Sequence, residues 1–124
     1  MSKRLLDVGQ CVPDHAAIQW LVERQFGAEV VGADDLKQTL DALGQSSFDL
    51  VLVNRKLDID HSDGLEIVRR IKTDPQWAAV PVMLVTNYPE YQQQAVASGA
   101  EPGFGKAELS SPATLERLAR FLKE

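Results

Sequence analysis

Phe48-Asp49-Leu50-Val51-Leu52-Val53-Asn54 is the stretch whose reading decides the fold. Leu50 to Val53 run without polar alternation and end on an amide. A strand with one wet face alternates apolar and polar side chains, whereas an unbroken apolar run fits a strand covered on both faces, as in a parallel sheet between layers of helices. Val82-Met83-Leu84-Val85 repeats the pattern, and Leu5-Leu6-Asp7-Val8 does so with a carboxylate inside it. Ala28-Glu29-Val30-Val31 is a weaker fourth run, and Gly103-Phe104-Gly105 reads as a very short fifth strand.

Helical spacing fills the intervals. Ile18, Leu21, Val22 and Phe26 recur after Pro13-Asp14, and Leu36, Leu40 and Leu43 recur after Asp34, with Gly44 placed as a stop. Leu65, Val68 and Ile71 form a stripe opened by Ser62-Asp63 and closed before Pro75. A weaker helix runs from about Pro89 to Ser98 and is ended by Gly99. Ser111-Pro112 opens the last, with Leu115, Leu118, Ala119 and Leu122 on one face. Strand and helix therefore alternate through a chain of 124 residues, which predicts a single α/β domain over residues 1–124. Its expected form is a doubly wound, five-stranded parallel sheet with helices on both faces and right-handed crossovers.

Composition narrows the function classes. Hydrophobic residues make up 44% and charged residues 25%, an ordinary globular mixture. A net charge of -5 works against nucleic acid and against an anionic membrane surface as partners. The lone Cys11 has no internal partner for a disulfide, and no apolar run is long enough for a signal peptide or membrane span. A reducing, cytoplasmic setting is the expectation. His15 and His61 are isolated, and no His-Cys-Asp spacing suggests a metal site. In doubly wound sheets chemistry sits beyond the carboxyl ends of the strands, near the switch in strand order. That directs attention to Asp7 through Cys11, Asn54 through Asp58, Thr86-Asn87 and Lys106.

These residues are where the chain resembles the response-regulator receiver family, including its single-domain chemotaxis members, over nearly its whole length. Phe48 to Asn54, then Asp63-Gly64-Leu65-Glu66-Ile67, is similar to the family's third strand and the opening of its third helix. Val80-Pro81-Val82-Met83-Leu84-Val85-Thr86 resembles its fourth strand, which ends in a hydroxyl residue, and Ser98-Gly99-Ala100 followed by Lys106 matches its Gly-Ala and its lysine. The resemblance implies a flavodoxin-like fold. It also implies self-phosphorylation on an aspartate at the end of the third strand, with Mg²⁺ held by that aspartate and an acidic pair after the first strand.

The chemistry is where this chain departs from the family. The phosphoacceptor position is Asn54, a neutral amide unable to form an acyl phosphate. Gly9 and Gln10 stand where the acidic pair belongs, so Mg²⁺ binding is not expected. A second register would bring Asp7 to the acidic position, and Asp58 or Asp60, in a loop longer than is usual, would then be the substitute carboxylates. The aromatic switch position is Gly103, with Phe104 beside it as a substitute, and the proline after the lysine is Ala107.

The expected pocket around Asn54 therefore comprises Asp7, Gly9, Gln10, Asp58, Thr86 and Lys106. Asn54 is read as a hydrogen-bond clip between the first and third strands, and Thr86 as a strand end satisfying a backbone group. Lys106 is expected to face Asn54 with Asp7 in reach, and Asp7 either to cap its strand or to meet Lys106. Arg55 and Lys56 bring positive charge to a pocket that receivers keep acidic. The functional expectation is a non-enzymatic pseudo-receiver that binds protein partners of a signalling pathway, with a homodimer through the face from Tyr88 to Leu122 as a further expectation. Two rivals remain: a receiver phosphorylated through Asp7 with Asp58 or Asp60, and a sensor that takes a small anion into the emptied pocket.

Overall fold

The computed structural model describes residues 2–124. Five strands, β1 (Arg4–Val8), β2 (Glu29–Ala33), β3 (Leu50–Asn54), β4 (Val82–Val85) and β5 (Glu101–Phe104), form one parallel sheet in the order β2-β1-β3-β4-β5. Helices α1 (Val12–Phe26), α2 (Leu36–Gln45), α3 (Gly64–Thr73), α4 (Pro89–Ala97) and α5 (Pro112–Leu122) alternate with them. This is the flavodoxin-like α/β sandwich that the apolar runs predict. Leu50 through Val53 are wholly buried, because helices cover both faces of β3.

The side-chain period of two sorts each strand between two cores. Leu5, Leu50, Leu52 and Met83 pack with Ile18, Leu21 and Val22 of α1 and with Leu118 and Leu122 of α5. Leu6, Val8, Val51, Val53 and Leu84 pack on the other face, with Leu43 of α2, the Leu65, Val68 and Ile71 stripe of α3, and Ala95 of α4. Helix starts are fixed by side chains that satisfy free backbone donors: Asp35 accepts from Gln38 N at 2.9 Å, Asp63 from Leu65 N at 2.9 Å, and Ser111 from Thr114 N at 3.2 Å.

Three boundaries differ from the sequence reading. Gly44 does not stop α2, which continues to Gln45 and is capped by Ser46; burial of Leu43 on the core outweighs the weak helix preference of an exposed glycine. Ala28 precedes β2, since pairing with β1 runs from Arg4 opposite Glu29 to Val8 opposite Ala33. Gly105 lies past β5, which starts two residues earlier than its glycines suggest.

The two glycines in helices separate two effects. A β-carbon at Gly64 would fall on the Asn54 carbonyl oxygen and lie 3.0 Å from Val53 Cγ1, whereas one at Gly44 would meet nothing within 4 Å. Gly64→Ala is therefore expected to lower stability by about 1–3 kcal/mol, and Gly44→Ala to raise it by roughly 0.5–1 kcal/mol. Urea unfolding midpoints read at constant slope check both.

Candidate functional site

The strand order reverses between β1 and β3, and the edge at their carboxyl ends is built on one pairing. Val8 lies opposite Val53, which brings Gly9 beside Asn54. Gly9 adopts φ 78°, a left-handed turn that suits a residue without a β-carbon. Its N–H donates to the Ala33 carbonyl at 2.8 Å, and its own carbonyl accepts from Asp58 N at 2.9 Å. Asn54 Nδ2 donates to that same Gly9 carbonyl at 3.2 Å and to the Lys56 carbonyl at 2.8 Å. Both amide hydrogens thus point at carbonyl oxygens, and a carboxylate in this rotamer would set oxygen against oxygen.

Beyond Asn54 opens a cleft of about 540 Å³ between the ends of β3 and β4, whose walls include Thr86, Lys106, Arg55, Lys56 and Tyr91. Thr86 Oγ1 accepts from Tyr88 N at 3.2 Å, the backbone-satisfying role read from the sequence. The Arg55 guanidinium lies over the Tyr91 ring, 4.0 Å from its centre, with a buried Nε that has no partner. Glu90 is the one acidic side chain on this cleft against three cationic ones.

The pocket expected around Asn54 is not assembled as a whole. Thr86 and Lys106 share its cleft, but Asp7 and Gln10 line a separate one with His15, and Asp58 sits in the exposed loop after β3. Strand register explains the split: Asp7 lies level with Leu52, on the sheet face of Leu5 that turns toward α1 and α5. There Asp7 Oδ2 meets His15 Nδ1 at 2.7 Å, so it neither caps the strand nor pairs with Lys106. Lys106 Nζ instead binds Asp14 Oδ2 at 2.7 Å, and this lysine beside it lowers the Asp14 pKa. Asp60 accepts from its own loop at Ser62 N, 2.9 Å. Phe104, the substitute expected beside the aromatic switch position, is buried among Met83, Val85 and Leu118.

The structure adds residues that sequence reading passed over. Gln92 of α4 donates to the Leu84 carbonyl at 2.9 Å and accepts from Gly103 N at 3.0 Å, tying α4 to the ends of β4 and β5. A β-carbon at Gly103 would lie 3.1 Å from Gln92 Oε1, so this amide fills the side of the site where the family's aromatic residue would start. The sequence marks Asp14 only as a helix start and His15 as isolated, yet the structure gives each a partner, Lys106 and Asp7. A polar residue's partner 92 positions away leaves no local signal, as the Asp14 and Lys106 pair shows.

Compared with known protein families, residues 12–115 match the response regulator receiver domain. The chain belongs to that family. Solved structures agree on the fold. The chemotaxis protein CheY4 of Vibrio cholerae is 22% identical with a TM-score of 0.77, over 98% of this chain and 100% of that one. The signal receiver domain of a DNA binding response regulator from Colwellia psychrerythraea is 24% identical with a TM-score of 0.80, over 95% of each chain. The receiver domain of a sensor histidine kinase from Pseudomonas aeruginosa, which has a magnesium ion coordinated in its active site cleft, is 19% identical with a TM-score of 0.71, over 98% of each chain. No curated protein matches. Among the described residues no helix is long and apolar enough to cross a membrane.

One carboxylate of this receiver titrates unusually. Burial pushes the Asp7 pKa up to about 6, outweighing the hydrogen bond and charge of His15 and the smaller help of Gln10 and Lys106. The folded state thus holds the Asp7 proton more tightly than the unfolded chain, whose value is 3.8. Stability from this group is present below pH 3.8 and is lost as pH rises through about 6. Asp7→Asn keeps an oxygen for His15 and removes the buried charge, so above that window it is expected to be more stable than the parent by about 1–3 kcal/mol. Urea midpoints across the pH range should show the gain shrinking steadily in acid.

Proposed function

We propose that this receiver acts as a non-enzymatic protein-interaction module whose output does not depend on aspartyl phosphorylation, with Asn54 standing at the phosphoacceptor position. The observation that carries the reading is the pair of donations from Asn54 Nδ2 to the Gly9 and Lys56 carbonyls. The surroundings present carbonyl acceptors and so suit an amide better than a carboxylate. Two further features support it. Lys106 is engaged by Asp14, and Gln92 occupies the Gly103 side of the site.

Magnesium chemistry does not fit these residues. Gly9 and Gln10 follow β1, Asn54 turns its nitrogen toward carbonyls, and three cationic side chains line the adjoining cleft. No step is therefore routed through a metal. The partners proposed are signalling proteins, together with a second copy docked through the face from Tyr88 to Leu122; neither nucleic acid nor a membrane is among them, and the setting is the cytoplasm. Asp7 turned into a different cleft, with Asp58 and Asp60 in an exposed loop, weighs against phosphorylation through a displaced carboxylate.

Incubation with Mg²⁺ and acetyl phosphate, or with beryllofluoride, is expected to give no added mass and no amide shift around residue 54. A stoichiometric phosphoryl adduct would sink the reading. Asn54→Asp is expected to lose about 1–3 kcal/mol at neutral pH, because it exchanges two donors for a charge facing carbonyls, and to remain unphosphorylated. Light scattering behind size exclusion tests the pairing, and a monomer at high concentration removes that part.

The unpartnered Arg55 Nε, with Lys56 and Lys106 on the same cleft, favours one second reading, a small anion held beside Asn54. A thermal shift with phosphate or a dicarboxylate that disappears in Arg55→Gln would support it. Equal shifts in the two proteins would remove it.

A further inference from the structure

A second cleft, of about 340 Å³, lies on the other side of β1, between α1 and the carboxyl ends of β1 and β2. We propose that it binds a small organic cation bearing N–H donors, an ammonium, amidinium or guanidinium group, through Asp7, Gln10 and Asp34. The Asn54 cleft plays no part in this, so the two ideas stand or fall separately.

The unmet hydrogen-bonding capacity at its floor carries the argument. Asp7 is 1% exposed and Gln10 8%, and both line the cleft. Asp7 Oδ2 is taken by His15; the Gln10 amide lies close enough to Asp7 to lower its pKa, yet no hydrogen bond of normal geometry reaches Asp7 Oδ1 or either polar atom of that amide. Buried polar groups are almost always paired, so unsatisfied atoms on two residues that line one cleft call for a partner there. Two of the three atoms are acceptors, a carboxylate oxygen and an amide oxygen, against the single donor Gln10 Nε2, and Asp34 adds a second carboxylate at the rim, so the balance calls for a donor.

The neighbouring charges agree. The cation nearest in the fold, Lys106, is held by Asp14 at 2.7 Å, and the remaining titratable group against Asp7 is His15. Val12, Ala16 and Ala33 supply apolar wall for a short alkyl stem. Gly32 leaves room for the imidazole: a β-carbon there would lie 3.2 Å from His15 Cε1, and the ring would have to yield. A metal ion is a poorer fit, since among the described residues no three His, Cys, Asp or Glu side chains gather as a ligand set. Directional N–H donors, shared between a carboxylate and an amide oxygen, match the site better than a bare ion does.

The test uses the whole chain in an alkaline buffer, titrated with methylguanidinium, acetamidinium and ethylammonium chlorides while amide shifts are followed by NMR. Tetramethylammonium and sodium chlorides are the controls without N–H donors. Saturable shifts at Asp7, Gln10, His15 and Gly32 are expected from at least one N–H cation and from neither control. Asp7→Asn and Gln10→Leu should each weaken that binding by about tenfold or more. If Gln10→Leu does not fold, Asp7→Asn, which preserves shape, decides alone. Water alone in the cleft would give no saturable response, and that result overturns the proposal. So would unchanged affinity in Asp7→Asn, or equal shifts from sodium and the N–H cations.

Discussion

The two hydrogen bonds from the Asn54 amide nitrogen hold the point where the topology divides. From β1 the chain crosses to β2 on one side, and from β3 it moves to β4 on the other, so the loops after β1 and β3 leave in opposite directions. Nothing in the sheet ladder joins them past Val8 and Val53. Asn54 ties them through Gly9 to the first loop and through Lys56 to its own, beside the donation from Asp58 N to the same Gly9 carbonyl. The start of α3 then closes on the same backbone, with Gly64 N donating to the Arg55 carbonyl at 2.7 Å. Both glycines in this cluster follow from the crowding: Gly9 takes the left-handed turn, and Gly64 leaves space for the Asn54 carbonyl.

Charge is arranged around that tie in an orderly way. With a neutral amide at the strand end, Lys106 has no anion to face there and turns to Asp14, a contact that links the segment after β5 to the first turn of α1. Arg55 packs its guanidinium on Tyr91 and so connects the end of β3 to α4. Gln92 adds a third connection, from α4 to β4 and β5.

The sheet, its two cores and most helix starts were legible because each rests on a local pattern. Unbroken apolar runs mark strands buried on both faces, stripes such as Leu65, Val68 and Ile71 mark one covered helix face, and Asp63 or Ser111 ahead of a stripe marks its cap. The amide at residue 54 and a clip from it between the first and third strands could also be read from residue type and position, but not that its partner is the Gly9 carbonyl. Asp7 could not. Its placement depends on which sheet face a single strand position meets, and its partner on how α1 seats its first turn over β2. Gly44 failed in the opposite sense, where a strong local stop signal was overridden by the packing of Leu43.

A ligand or a modification shifts a conformational equilibrium only by its differential affinity for two states, and the second state must exist at low free energy. In this receiver the parts that would move, Thr86, the β4 to α4 junction and the start of α4, are pinned by Tyr88 N on the Thr86 hydroxyl and by Gln92 across both strand ends. Breaking the Gln92 contacts would strand the buried carbonyl of Leu84 and the N–H of Gly103, each an expensive loss. These contacts fasten the start of α4 to the ends of β4 and β5, at one edge of the face from α4 to α5.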